Sequence, residues 1–353
     1  MIRLLGSVTA QSPIHVSYPG YESLLPRTPH NELMLFGSSF RGPLRKAAYA
    51  TIRSQLTRHH NTTEDQIFSL RDAYLLGEGV DITNEVNTES GATAQPVAEH
   101  KLRELNPMIN LFGRWKVAGR LSTGGFRTPE SNLMNRVDAG ARVDMFERDP
   151  DEVENLSPED RDQLIRTLES EREVQEKIDS LREEVRELKR KAREQDDATR
   201  KKTFQEVEKL QNQEKELKDS REGSKESIKH PLEGYEAVAP GSILSHSMSL
   251  ITDDHRLLGL LIAAMSDFAR EPIIGGHRAA GMGQITGEWT VYEWPAGQLQ
   301  SRELGRIGFN ETRLDVDGDE LNSAYTSFID ALPSYNFRLH TLADAKKEIG
   351  QTG

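Results

Sequence analysis

The sequence predicts an α+β fold in which an antiparallel sheet is backed by two helices, as in the ferredoxin-type sandwich, with a long helical hairpin inserted into it. Three observations carry this expectation. Strand and helix patterns come in the order strand, helix, then strand–helix–strand. Two glycine-rich corners stand at the joints. Residues 151–220 carry a heptad seam unlike the sequence on either side.

Ile2–Val16 (IRLLGSVTAQSPIHV) alternates before a Ser-Pro break and predicts the first strand. Ser17–Glu32, rich in Pro, Gly and Tyr, is a loop. FGSSFRGPLRKAA (Phe36–Ala48) is a glycine turn running into a helix through about Leu56. A short helix over Asp65–Leu75 lies in a polar, weakly periodic stretch, Thr62–Val97, long enough to be a functional loop. Pro107–Phe112 is apolar, Trp115–Leu121 predicts a strand, and Ser122–Val143 carries Gly and Arg with little periodicity.

In the insertion, Val174, Ile178, Leu181, Val185, Leu188 and Ala192 alternate steps of four and three, a heptad seam. Ser157-Pro158-Glu159 starts this helix. A polar break at Gln195–Thr199 follows, and Phe204, Val207, Leu210 and Leu217 mark a second amphipathic helix. The pair predicts an antiparallel hairpin, either a solvated spacer or a docking arm. Globular sequence resumes at Gly234. Tyr235–Ile243 and Leu244–Ile251 predict strands around Pro240-Gly241. Asp253–Arg270 is an amphipathic helix with Leu257, Leu258, Leu261, Ile262, Met265 and Phe268 on one face and Asp253 or Asp254 as cap. A second glycine cluster, Gly275–Gly283, precedes a strand over Gln284–Glu293 containing Trp289; Glu320–Leu332 is the last helix. The expected organisation is residues 1–146 and 234–353 as two parts of one domain, with 147–233 as the charged hairpin.

No apolar run reaches membrane-spanning length, no secretory h-region opens the chain, and there is no cysteine, so disulfides and thiolate metal sites are excluded and a cytoplasmic protein is expected. The net charge is −12. Residues 151–230 hold 24 acidic and 19 basic side chains, and the remainder holds 33 and 26, so it too is acidic. A nucleic-acid surface must then be a local basic groove; a general DNA coater is disfavoured.

The Phe36–Ala48 corner carries the most chemistry. Helix N-termini present unpaired N–H groups and partial positive charge. Ser38 or Ser39 can cap, Gly37 and Gly42 allow close backbone approach, and Arg41 and Arg45 share one helix face, with Lys46 beside them. Together they predict a phosphate-binding corner. GxxxxGK[ST] is absent, so it is not a nucleotide P-loop. The same residues also fit an ordinary basic helix start whose charges form surface ion pairs. Asp315, Asp317 and Asp319 miss the calcium-loop pattern because Gly318 is misplaced, and a helix cap accounts for them better. His59-His60 lacks companion ligands. No metal site and no cofactor is expected.

Five stretches, in order, resemble the RAMP superfamily, specifically the repeated backbone subunit of class 1 CRISPR effector complexes, the seventh-type Cas protein. They are SPIHV (Ser12–Val16), GSSFRGPLR (Gly37–Arg45), LFG with AGRL (Leu111–Gly113 and Ala118–Leu121), NRVDAGARVDMF (Asn135–Phe146), and GLLIAAM followed by GGHRAAGMGQI (Gly259–Ile285). The missing cysteines, the charged insertion and the Trp289 strand look most like the type IV branch. The resemblance implies an RRM-like palm with finger and thumb insertions. Copies would stack head to tail along a guide RNA (crRNA), an open heterologous assembly. Other effector subunits, and a target strand paired through the guide, would be partners; a membrane would not. Contact with phosphate rather than base edges suits interchangeable guides.

Arg41, Arg45 and Lys46, with Ser38, Ser39 and Gly42, are the expected phosphate contacts. The resemblance makes Gly276, His277 and Arg278 RNA-facing, although His277 equally fits a structural role and the glycines fit turn geometry. Arg114, Lys116 and Arg120 flank a strand and would line the palm, with alternation putting some of them on the outer, inert face. Arg127, Met134 and Arg136 fall in the thumb, Met134 as a wedge against a displaced base and Phe126 as its rival. Both glycine corners should share one sheet.

Relatives that cut RNA are expected to carry an aspartate in the loop before GSS. Here Ser17–Glu32 has only Glu22 and Glu32 as acids, so no intrinsic nuclease is expected. An endoribonuclease using His15 and His30 as an acid–base pair is the alternative, with a structural role favoured for His15. A coiled-coil scaffold without nucleic acid is a third reading.

Overall fold

A computed structural model describes residues 1–19, 21, 24–60, 68–83, 85–89, 95–137, 158–192, 197–219, 235–310 and 313–351. The chain divides into two units, Met1–Val137 with Gly234–Gly353, and Asp138–Glu233.

In the first unit, β1 (Ile2–Ala10) and β2 (Leu33–Leu35) precede α1 (Ser38–His60). Then come α2 (Pro96–Leu105), α3 (Pro107–Phe112), and five short strands: β3 (Gly113–Arg114), β4 (Val117–Ala118), β5 (Leu121–Thr123), β6 (Phe126–Thr128) and β7 (Leu133–Val137). The second unit contributes α4 (Pro158–Ala192) and α5 (Asp197–Asp219). The first unit continues with β8 (Tyr235–Val238), β9 (Ile243–Leu250), α6 (His255–Phe268), β10 (Ile285–Glu293), β11 (Arg302–Phe309), β12 (Leu314–Asp317), α7 (Asp319–Ala331) and α8 (Leu342–Gln351).

The main sheet runs β12-β11-β10-β1-β9-β6-β2, with β5 also on β9, and every pairing is antiparallel. Its centre, β10-β1-β9-β5/β6, is threaded strand, α1, strand, strand, α6, strand. That is the order of a ferredoxin-like α+β sandwich. Alternation fixes the faces: Ile2, Leu4, Val8 and Ala10 of β1 are buried, and so are Leu244, His246, Met248 and Leu250 of β9. Gly6 is required where β1 meets β10, because a Cβ would stand 1.9 Å from Glu288 O. Trp289 is fully buried, stacks on Phe40 at 6.0 Å between ring centroids, and donates its indole N–H to His246 Nδ1 at 3.1 Å. Asp254 caps α6 by accepting from Arg256 N. Gly259 lets α7 cross closely, since a Cβ there would lie 2.1 Å from Ala324 O.

Several elements differ from the sequence reading. β1 stops at Ala10, because Gln11 N and Ser12 N both donate to Gln284 O and the chain turns. Trp115–Leu121 is not one strand: Gly113↔Ala118 and Arg114↔Val117 pair as a tight hairpin, and β5 begins at Leu121. Residues 70–78 form one α-turn with a Ser69–Asp72 capping box, then a π-helical stretch; 61–67 lie outside the described residues. The strand expected over Tyr235–Ile243 ends at Val238, where β8 pairs with β7, and β9 begins at Ile243. Asp315 and Asp317 lie on β12, and the cap of α7 is Gly318, which makes no side-chain bond. Its φ is 137° and a Cβ would approach Leu304 O to 2.4 Å, so no capping side chain fits. In the second unit, Ile178, Val185 and Ala192 of α4 and Val207 of α5 are buried, and Arg182 pairs with Glu214 at 2.9 Å.

Candidate functional site

Residues Ser38, Arg41, Gly42 and Arg45 occupy one face of α1 and line an open cavity of about 1000 Å³. The opposite wall is the β3–β4 hairpin with its flanks, from Phe112 to Gly119, followed by Leu121, Ser122 and Thr123. The lining carries Arg41, Arg45 and Lys116 against one acid, Glu78, together with Arg114, whose charge is paired with Glu89. The helix N-terminus and the hairpin thus form one basic concavity.

The basic residues differ in their partners. Arg41 Nη2 donates to Phe112 O at 2.6 Å, the one side-chain hydrogen bond of Arg41 among the described residues. Arg45 donates from Nε to Leu76 O at 2.7 Å and from Nη2 to Leu75 O and Gly113 O, each at 2.8 Å. Arg45 therefore ties α1 to the π-helical stretch and to the hairpin. Burial, and then the charge of Arg41, push its pKa down to about 10; burial also lowers that of Arg41. Two half-buried guanidiniums side by side leave positive charge that an anion entering the cavity would neutralise.

The hairpin opposite is pinned. The Arg114 side chain is fully buried and gives Nη2 to Glu89 Oε2 at 2.6 Å and Nη1 to Trp115 O at 2.8 Å. Lys116 donates to Glu89 O. Glu89 Oε1 accepts Leu342 N at 2.8 Å, which satisfies the carboxylate from both sides. Gly113 and Gly119 close the hairpin base: a Cβ on Gly113 would lie 2.3 Å from Gly119 N.

The second glycine corner is clipped to Pro13–His15. Gly283 N donates to Pro13 O and Gly276 N to His15 O, both at 2.9 Å, and a Cβ on Gly275 would stand 2.3 Å from His15 O. His277 has φ 57° and stacks on Tyr235 at 4.5 Å and 6°. Tyr235 in turn lies 4.5 Å from the His15 ring. Arg278 pairs with Glu271. Three residues beyond His15, the Tyr18 hydroxyl accepts Phe36 N at 2.8 Å and shares a 2.6 Å hydrogen bond with Ser39. Since three residues of chain span at most about 11 Å, the segment from Pro13 to Tyr18 holds both corners at the same part of the unit.

Not every expected contact is in place. Ser38, Arg41, Gly42, Arg45, Arg114 and Lys116 share the cavity. Ser39 faces Tyr18 instead. Lys46 pairs with Glu78 at 2.8 Å on the rim of a neighbouring groove. Arg114 supports the hairpin rather than facing solvent. Arg120 gives Nη1 to Ile251 O at 3.1 Å, away from the cavity. Phe126 cannot be a wedge: it is fully buried, stacked on His246 at 4.1 Å. Arg127 is exposed on β6, paired in register with Ser245. Met134 is half-buried on β7 opposite Ala237. Arg136 lies on the same strand, with a side chain outside the described residues; the rest of the expected thumb, from Asp138 to Phe146, lies outside them too.

His15 donates from Nδ1 to Glu236 O at 2.7 Å and its Nε2 accepts from Ser17 Oγ at 3.0 Å, so both nitrogens are engaged. Burial lowers its pKa. His30 is exposed. Sequence reasoning passed over Trp115, although its setting between Arg114 and Lys116 was a visible signal; the indole is 63% exposed at the cavity rim. Glu89 and Tyr18, which pin the two walls, gave no local signal.

No helix among the described residues is long and apolar enough to cross a membrane. No protein-family model matches the chain, and no curated protein matches it. A chain of a solved structure titled "Type IV-B CRISPR Complex" is similar at 18% identity with a TM-score of 0.34, over 84% of this chain and 92% of that one.

Proposed function

We propose that this chain is a non-catalytic guide-RNA-binding subunit that stacks head to tail along crRNA and presents the spacer for pairing with a target. The observation that carries the reading is the Arg41–Arg45 pair, held without a carboxylate partner among the described residues, beside the α1 N-terminus in an open cavity. Such a site takes a phosphate without regard to base. The ferredoxin-like order of the sheet and the closeness of both glycine corners support it. The five motifs of the RAMP backbone subunit supply the finer role.

Roles differ within the cavity. Arg41 and Ser38 meet the phosphate. Arg45 holds the walls and adds charge. The endoribonuclease alternative gains no support, because His15 is buried and both of its nitrogens are occupied.

The test is purification from cells that also express a guide RNA. Large assemblies with RNA protected at even intervals are expected, and Arg41→Glu should abolish RNA retention without unfolding the protein. A monomer free of RNA under those conditions, or unchanged retention by Arg41→Glu, would overturn the reading.

A further inference from the structure

We infer that Trp115 is a nucleobase-stacking platform, so that the site grips a nucleotide by its phosphate at Arg41 and by the face of its base at the indole. This rests on the cavity being a site for single-stranded nucleic acid.

Four observations lead there. Trp115 is 63% exposed, yet it lines the same cavity as Arg41 and Arg45. It sits in a two-residue turn whose second residue, Lys116, has φ 64°. That position normally takes glycine or asparagine, so the turn holds a strained residue. Its flanks are fixed: buried Arg114 bonds to Trp115 O and to Glu89, and Lys116 reaches back to Glu89. Finally, the hairpin base is shut by Gly113 against Gly119. An indole on a flexible loop would fold back onto apolar surface. Here the backbone beneath it is rigid and its outer surface remains in water.

Aromatic platforms beside cationic grooves hold single strands because every base has a π-face, which makes the grip insensitive to sequence. That complements a phosphate contact that is also insensitive to sequence. It also gives the cavity a preference that phosphate alone cannot give, for a strand with unstacked bases over a duplex.

The experiment uses the full chain with a short oligouridylate and with the same ribose-phosphate chain lacking bases. Wild type should bind the base-bearing strand about ten-fold more tightly than the abasic one. Trp115→Ala should bind both equally, at the abasic affinity, and Trp115→Phe should recover most of the difference. Trp289 is buried and Trp294 is half-buried and absent from the cavity lining, so fluorescence quenching by the oligouridylate should be largely lost in Trp115→Phe. Melting temperatures should be unchanged, as the side chain is exposed. If wild type binds both strands alike, or if Trp115→Ala retains the preference for bases, stacking is excluded while phosphate binding stands. A Trp115→Ala effect confined to RNA-free self-association would equally overturn it. If wild type binds neither strand, the phosphate site itself fails, and stacking with it.

Discussion

The two glycine corners look alike in sequence, each carrying glycines with an arginine close by, and they do opposite things with their charge. In the first, Arg41 and Arg45 stand half-buried together against main-chain carbonyls, with Glu78 as the one acid in the lining and no carboxylate bonded to either guanidinium among the described residues. In the second, Arg278 is paired with Glu271 in solvent, and the glycines serve backbone fit: Gly275 and Gly283 leave no room for a Cβ against His15 O and Ile274 O. The proposed function assigns an anion to the first. The second is a clip that fixes the Pro13–His15 segment and holds His277 over Tyr235. An arginine beside glycines is therefore not by itself a phosphate contact; what matters is whether its charge is already balanced.

The sharpest test of this contrast compares the arginines. Arg45→Ala should lower the unfolding free energy by about 3 kcal/mol, because three buried carbonyls lose a charged donor. Arg278→Ala should lower it by about 0.5 kcal/mol or less, because an exposed pair contributes little. Urea titrations of the two variants check this; similar losses would mean that both corners are structural. Next in size is the effect of anions. Pyrophosphate at about one hundred times its dissociation constant should stabilise wild type by about 2.7 kcal/mol. The effect should vanish in Arg41→Gln and persist in Arg278→Gln. Thermal melts with pyrophosphate against chloride at equal ionic strength separate the cases.

Much of the frame was readable beforehand, because it rests on periodicity. The apolar face of α6 and the alternation of β10 are local patterns. The hairpin helices likewise follow from the heptad seam. What was not readable depends on contacts far apart in the chain. Arg45 reads as a surface cation until Leu75, Leu76 and Gly113 close around it, about thirty and seventy residues away. Phe126 reads as an exposed wedge in a polar segment, but the register of β6 turns it onto His246 and Phe40. The β3–β4 turn was hidden because Trp115-Lys116 carries no glycine, proline or asparagine. The cap of α7 was misassigned because three aspartates outweighed the fact that only Gly318 fits against Leu304 O.

Acid should separate the corners with a smaller effect. The first has no histidine among its lining residues, so its charge is constant between about pH 5 and 8. In the second, burial, partly opposed by the bond to Glu236 O, holds the pKa of His15 below its ordinary value, with repulsion from His277 adding to the lowering. A group whose folded pKa is lowered takes up protons more readily when unfolded, so stability falls as pH drops below about 6.5 towards the folded value. His246 adds to the same slope, since burial pushes it down to about 4 in the core. The melting temperature should therefore decline from pH 7 to pH 5. In His15→Gln the decline should be shallower, with the contribution of His246 remaining. Binding of pyrophosphate at Arg41 should be the same at both pH values once the ligand's own ionisation is corrected for. A slope unchanged by His15→Gln would mean that His15 lies outside the acid response of the fold.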